Sequence, residues 1–372
     1  MQASSSFARF AVLSIVLRLS VAIVALGCVV SSPAAACTVT LAADGNTAAI
    51  QHAMDRPGKA TPVVCLKPGI YKGARLIATR SVVLRRVGKD KVVLDAGGQG
   101  RVLSVTQDHV AVQLEGLTLT NGKADKGGAV ALLQASKVAL VDCWLYGNTA
   151  TLQGGGAIYA NAGQLDIVRS RLTGNSAELA SAIALTGVVE ARLVGSLVAD
   201  NEGKGSADPP IRLSGSAKLA LLHSTVAYNS GAGIVLQPDG PGRRKLSIAS
   251  SIVMGRPDAI AVQRGEAGDV QVDRSVLWGS IGFVALDMAT QRGLPGFNLK
   301  DVERYRPEKG SLAIGLGRCT EPQARKDLAG KPRGAVCTAG ALEAPAADVA
   351  ATLAERRKAP TAQKKTRGWQ DI

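Results

Sequence analysis

Aromatic residues are scarce in this sequence: Phe, Trp and Tyr make up 3% of its 372 positions. That scarcity disfavours a large aromatic-lined cofactor pocket and an ordinary helical or sandwich core, both of which draw on aromatic bulk. Histidine occurs three times and the six Cys are scattered, so no zinc-ligand cluster can be written and no metal site is expected. Acidic residues are outnumbered, 29 against 44 basic, for a formal charge of +15. Apolar runs are short, and none approaches the roughly 20 residues that a membrane-spanning helix needs. What is abundant is Gly, at 42 positions, together with Val, Leu, Ile and Ala, a composition suited to close-packed repetitive strands.

Residues 1–36 hold Arg9 and Arg18, no acid, an apolar run from Leu19 to Val30, and the small-residue ending Ala34-Ala35-Ala36. This pattern predicts a secretory signal peptide cleaved before Cys37. Cleavage leaves 372 − 36 = 336 residues, and loss of the two Arg lowers the charge from +15 to +13. The expectation is an exported monomer, secreted, periplasmic or at the cell surface, with no transmembrane segment after cleavage. Export permits disulfides, and proximity in sequence predicts Cys37–Cys65 and Cys319–Cys337, with Cys143 left single.

One residue type exposes a repeat. Asn121, Asn148, Asn175, Asn201 and Asn229 are spaced by 27, 27, 26 and 28 residues. Seven residues before each stands Leu114, Val141, Val168, Val194 or Leu222; five before, Gly116, Cys143, Ser170, Ser196 or Ser224; three before, Thr118, Leu145, Leu172, Val198 or Val226. The alternation has the period of a strand. A second column, Val102, Val130, Ile158, Ile183, Ile211, Ile234, Ile260 and Phe283, recurs at similar spacing. Each period is too short for a strand–helix–strand unit, so stacked periods predict a coil of parallel strands. The five Asn are expected as a structural ladder, tolerating left-handed backbone and bonding their amides up the coil.

Val64-Cys65-Leu66-Lys67-Pro68-Gly69-Ile70-Tyr71 and Gly116-Leu117-Thr118-Leu119-Thr120-Asn121-Gly122 resemble the entry strand and a rung of secreted right-handed parallel β-helix proteins, the pectin lyase-like superfamily. Asp327-x-x-Gly330-x-Pro332-Arg333 with Cys337-x-x-Gly340-Ala341-x-Glu343 is similar to the closing segment of bacterial choice-of-anchor β-helix proteins. Gly310-Ser311-Leu312-Ala313-Ile314-Gly315-x-Gly317 is a degenerate form of the motif that precedes it, with Gly315 in place of the family Asp. The expected fold is therefore all-β: a single right-handed parallel β-helix with an N-terminal capping helix and an irregular C-terminal cap.

The expected domains are a signal peptide over 1–36, the β-helix with its N-terminal cap over 37–292, the C-terminal cap over 293–343, and a basic tail over 344–372, disordered or loosely helical. In the N-terminal cap, Asn46 is placed to cap a helix reaching Met54, with His52 on its surface.

Function in such a coil sits on outward columns. Six residues before the Asn stand Glu115, Asp142, Arg169, Gly195 and His223; four before, Trp144 lies beside Arg171. Two carboxylates one rung apart would raise one pKa or hold a cation, a neighbouring Arg would neutralise a substrate carboxylate, and a Trp beside a cation offers a platform for a sugar ring. Glu115, Asp142, Trp144, Arg169, Arg171 and His223 are thus the candidate glycan-binding face, set against an exposed ion-pair ladder with no ligand. Relatives in the superfamily cleave acidic polysaccharides by hydrolysis or by elimination. The sequence has no Asn-Thr-Asp, Asp-Asp or Gly-His-Gly, so catalytic residues are not assigned. The expected function is non-catalytic binding of anionic polysaccharide or an envelope role, without a cofactor. The alternative is a polysaccharide lyase acting on uronates, for which Ca²⁺ would be required. Nucleic acid is not expected as a partner, since no binding motif is present and the basic residues are scattered.

Overall fold

Stacked aliphatics dictate the architecture. In the computed structural model, which describes residues 35–43, 47–152, 154–205, 208–238, 242–262, 269–282, 284–299, 303–319 and 322–358, short strands pair in parallel with their equivalents one turn away. Segment 1–34, Asn46, Phe283 and the basic run Lys364-Lys365-x-Arg367 lie outside the described residues. The unit that begins at Cys37 is built on a right-handed parallel β-solenoid of about nine turns.

Leu84, Leu114, Leu140, Ile167, Leu193, Leu221, Ile248 and Val272 stand in register up one wall, all buried. Leu119, Leu145, Leu172, Val198, Val226, Val253 and Leu277 line a second wall. Leu103, Val130, Ile158, Ile183, Ile211, Ile234 and Ile260 line a third. Like stacks on like because parallel in-register pairing places equivalent side chains one strand spacing apart. The first wall belongs to Leu114 but not Val141, whose partner is Glu115; likewise Leu119 replaces Thr118, and Leu103 replaces Val102, in the expected columns.

The first two displacements, in columns counted back from Asn121, come from one slip. Asn121 aligns with Gly147, since Thr120 pairs with Tyr146, and Gly122 occupies the place of Asn148. A slip of one residue exchanges the two faces of a strand. Asn121 is accordingly exposed and bonds Asp95 at 2.9 Å. Gly122 donates its N–H to Asn148 Oδ1 at 2.9 Å, and a Cβ there would lie 1.9 Å from the Gly128 carbonyl oxygen.

The ladder proper is Asn148, Asn175, Asn201 and Asn229. The Nδ2 groups of the first three each donate to the next Oδ1 at 2.8–3.0 Å, and Asn229 ends the ladder on the Val198 and Ala227 carbonyls. The left-handed residue is not the ladder Asn but the one before it: Gly147, Gly174, Asp200 and Tyr228 all have φ between 53° and 63°. A second ladder runs at the other corner, where Cys143, Ser170, Ser196, Ser224 and Ser251 each donate a backbone N–H to the Oγ of the next turn's serine at 3.0–3.2 Å.

At the N-terminal end, helix α1 (Ala48–Met54) buries Ile50, Ala53 and Met54 against the coil, and His52 faces solvent. Thr47 holds the N-cap position, but its hydroxyl donates to the Gly73 carbonyl at 3.4 Å and not to the helix.

The C-terminal segment departs from the expected end cap. Phe297, Tyr305, Ala313, Leu316, Leu328, Ala339, Ala341 and Leu342 pack on Leu197, Ala199, Ala227, Ile252, Met254 and Val276, forming a second apolar core on the outside of the solenoid wall. Residues 293–343 are a lateral cover. The physical cause is visible in Leu197–Ala199, Thr225–Ala227 and the start of Ile252–Val262, where every residue is buried; strands without polar alternation need both faces covered. Of the two forms expected for the tail, disordered or loosely helical, Ala346–Lys358 takes the helical one, α2. Its Arg356 donates to the carbonyls of Ile314 and Ser311, both at 2.8 Å, and its Thr352 accepts from the Gly310 N–H at 2.9 Å.

Candidate functional site

Asp142, Arg169 and His223 occupy one corner of the coil for a backbone reason. With Gly116, Gly195, Ser250 and Arg274 they form a column of left-handed residues, φ 44–68°, at the sharp turn before the serine ladder. Glu115 is displaced from this column by the slip at Asn121. Its carboxylate accepts from Arg85 and Gln113 and is neither stacked on Asp142 nor free: Arg85 Nη2 lies 3.1 Å from Glu115 Oε1, and Arg85 Nε bonds Oε2. The hydrogen bond that Arg85 donates to Glu115 raises the Arg85 pKa, against the opposing effect of burial.

Asp142 and Arg169 meet in a bidentate pair, Nε to Oδ1 and Nη2 to Oδ2 both at 2.8 Å. The Asp142 side chain is 49% exposed, so the pair stabilises the fold by only about 0.2–1 kcal/mol. The expected carboxylate pair is absent, because Glu115 and Asp142 each have their own arginine.

Trp144 stands in register with Thr118 on one side and Arg171 on the other. Its indole N–H donates to Thr173 Oγ1 at 2.8 Å, its ring lies 4.7 Å from that of Tyr146, and Lys91 Nζ sits 5.7 Å from its centroid. The cation over the indole is therefore Lys91. Arg171 is half-buried, and burial lowers its pKa against the pull of Asp327 and Asp142. The next residue in that register, Leu197, is already under the cover. Trp144 and Arg171, both half-buried, are thus the part of this register that the cover leaves open, while Thr118 is buried.

His223 is removed from the expected face. It is fully buried under the cover, with Nε2 donating to the Arg318 carbonyl at 2.8 Å and Nδ1 without a partner. Burial first, and then the Arg333 charge, push its pKa down to about 4, so the imidazole is neutral. Gly317 packs so tightly here that a Cβ would lie 2.9 Å from His223 Cε1.

Both expected disulfides are present, Cys37–Cys65 with Cα atoms 5.7 Å apart and Cys319–Cys337 with 6.3 Å. Cys143 is free, buried in the serine ladder, and its thiol pKa is pushed up to about 12 by burial; it is a structural donor, not a nucleophile. Among the described residues the grouping with metal-ligand spacing is His223, Cys319 and Cys337, within 4.8 Å of one another. Two of its three donors are joined in a disulfide and offer no thiolate.

The motif Asp327-x-x-Gly330-x-Pro332-Arg333 ties the cover together. Buried Asp327 accepts from the N–H groups of Ala329, Lys331 and Glu343 at 2.8–3.1 Å, and Arg333 donates to Glu343 Oε2 at 2.9 Å. These residues are structural. Sequence reasoning missed an arginine-lined cavity beside them, formed by Arg274, Arg318, Arg325 and Arg333; three of these lie in the irregular segment outside the repeat, and nothing in the sequence reports that this segment folds back beside Arg274.

No family model, curated protein or solved structure matches the chain. Among the described residues no helix is long and apolar enough to cross a membrane.

Proposed function

We propose that this is an exported protein of pectin lyase-like type, closed by a choice-of-anchor type segment, that binds anionic polysaccharide as a monomer and has no catalytic role. The observation that carries the reading is the open strip beside the cover: Trp144 and Tyr146 side by side, Lys91 over the indole and Arg171 next in register. Aromatic faces take the apolar faces of sugar rings, while flanking cations take carboxylates. The Arg169–Asp142 pair borders the strip and contributes its cation only weakly, being already neutralised. The +13 balance expected after signal cleavage draws polyanions to the surface. Export is supported by the two disulfides.

A lyase acting on uronates is the second reading, favoured by Arg171. Burial lowers its pKa, the direction that a base for proton abstraction requires. Ca²⁺ would enter only in that reaction, to neutralise the uronate carboxylate. The experiment is absorbance at the unsaturated-uronate band during incubation with a panel of uronic-acid polysaccharides, with and without Ca²⁺. A flat trace alongside measurable retention of the polymers supports binding without turnover. A rise that disappears in Arg171→Ala replaces this reading with the lyase.

A further inference from the structure

The cover builds a cavity with an unusual balance of charge. Arg274, Arg318, Arg325 and Arg333 line a space of about 620 Å³ together with Gly317, Cys319 and the turn Pro332–Ala335. That volume suits a ligand of sugar size. Among the described residues no carboxylate lines it. Asp273 feels the charges of Arg274 and Arg318 but lies outside the lining.

The four guanidiniums are held differently. Arg333 is fully buried and fixed, donating to Glu343 and to the carbonyls of Thr338, Gly340 and Ala341 at 2.8–3.2 Å. Its Nε–H nevertheless has no partner, and burial pulls its pKa down in spite of Glu343. Arg274 is anchored by Nε donating to the Leu316 carbonyl at 2.9 Å. Arg318 has its backbone pinned by donation to Ser250 Oγ at 2.9 Å, while its side chain is exposed. Arg325 is exposed as well, its backbone carbonyl accepting from the Arg333 N–H at 2.8 Å. No ion pair among the described residues engages Arg274, Arg318 or Arg325. The Cys319–Cys337 disulfide and the Lys326–Pro332 bridge fix the segments that carry three of the four.

Like charges gathered in one cavity repel unless an anion joins them, and guanidinium forks match the paired oxygens of carboxylate, phosphate and sulfate. We infer that this cavity is a binding site for an oxyanion group carried by a small ligand, with Arg318 and Arg325 as the free forks, Arg274 as the anchored one, and the buried Arg333 as a fixed part of the wall. The inference uses none of the residues of the Trp144 strip and stands whether or not that strip binds polysaccharide.

The test is isothermal titration of the full chain at low ionic strength with sodium glucuronate, inorganic phosphate and sulfate in separate arms. At least one probe is expected to bind saturably, at one site, and the arm that binds identifies the carboxylate or the inorganic source. In the double variant Arg318→Ala/Arg325→Ala the affinity is expected to fall about tenfold or more, as loss of charge-assisted bonds requires, and Trp144→Ala is expected to bind as the unaltered chain does. Both arginines are exposed, so thermal denaturation should be unchanged. A second readout needs no variant: the bound probe should protect Arg318 and Arg325, but not Arg357, from phenylglyoxal. Absence of saturable binding with all three probes, undiminished binding by the double variant, or absence of protection would overturn the inference.

Discussion

Asn148 and Asn175 are joined twice through one atom: Asn175 Oδ1 accepts both the side-chain amide of Asn148, at 3.0 Å, and its backbone N–H, at 3.1 Å. Asn175 Nδ2 in turn donates to the Leu145 and Thr173 carbonyls and to Asn201 Oδ1. Replacing Asn175 by Ala would leave several buried groups unpaired at once, each costing about 1–3 kcal/mol. A loss of about 3–5 kcal/mol in denaturant unfolding is expected, against less than about 1 kcal/mol for Asn121→Gly, which keeps the left-handed backbone and sits outside the ladder.

His223 makes stability depend on pH in a defined window. Its pKa is about 4 when folded and about 6.5 when unfolded, so the unfolded chain binds the proton first. Stability is whole above about pH 6.5 and falls as pH drops towards 4, by up to about 3 kcal/mol. His223→Asn, which tolerates the left-handed backbone, should flatten this part of the curve in denaturant melts run across that range. A slope identical to that of the unaltered chain would refute the assignment.

The Cys319–Cys337 link closes a span of 18 residues within the cover. Its removal in Cys319→Ser/Cys337→Ser should lower stability by about 2–4 kcal/mol and open the cover to limited proteolysis between 293 and 343 before the solenoid is cut. Simultaneous cleavage of both would contradict a cover docked as a separate layer.

Asp142 neutralises Arg169. Asp142→Asn should therefore cost little stability, about 0.2–1 kcal/mol, and tighten binding of an acidic polysaccharide by releasing the guanidinium. Weaker binding in equilibrium dialysis would show that the carboxylate itself takes part.

The fold was legible because in-register parallel stacking forces equivalent residues to recur, so that Ile158, Ile183 and Ile211 announce one wall in sequence alone. The slip at the first rung arose from chemistry, not noise: the left-handed corner and the ladder position are adjacent and both accept Asn, so Asn121 mimics Asn148. The same slip put Glu115 among the site residues. The shared register of Trp144 and Arg171 was legible because their strand alternates. His223 was not, since nothing in its own rung reports that a segment from 95 residues further on will lie over it. The one local trace of the cover was the unbroken burial of Leu197-Val198-Ala199 and its neighbours in the next turns.

The claim that the uncovered strip binds anionic polysaccharide is tested most directly by electrophoretic mobility of the full chain in native gels containing polygalacturonate or neutral dextran. Retardation by polygalacturonate alone, abolished in Trp144→Ala, is the predicted result. Equal mobility in both gels, or retardation that Trp144→Ala leaves intact, would contradict it.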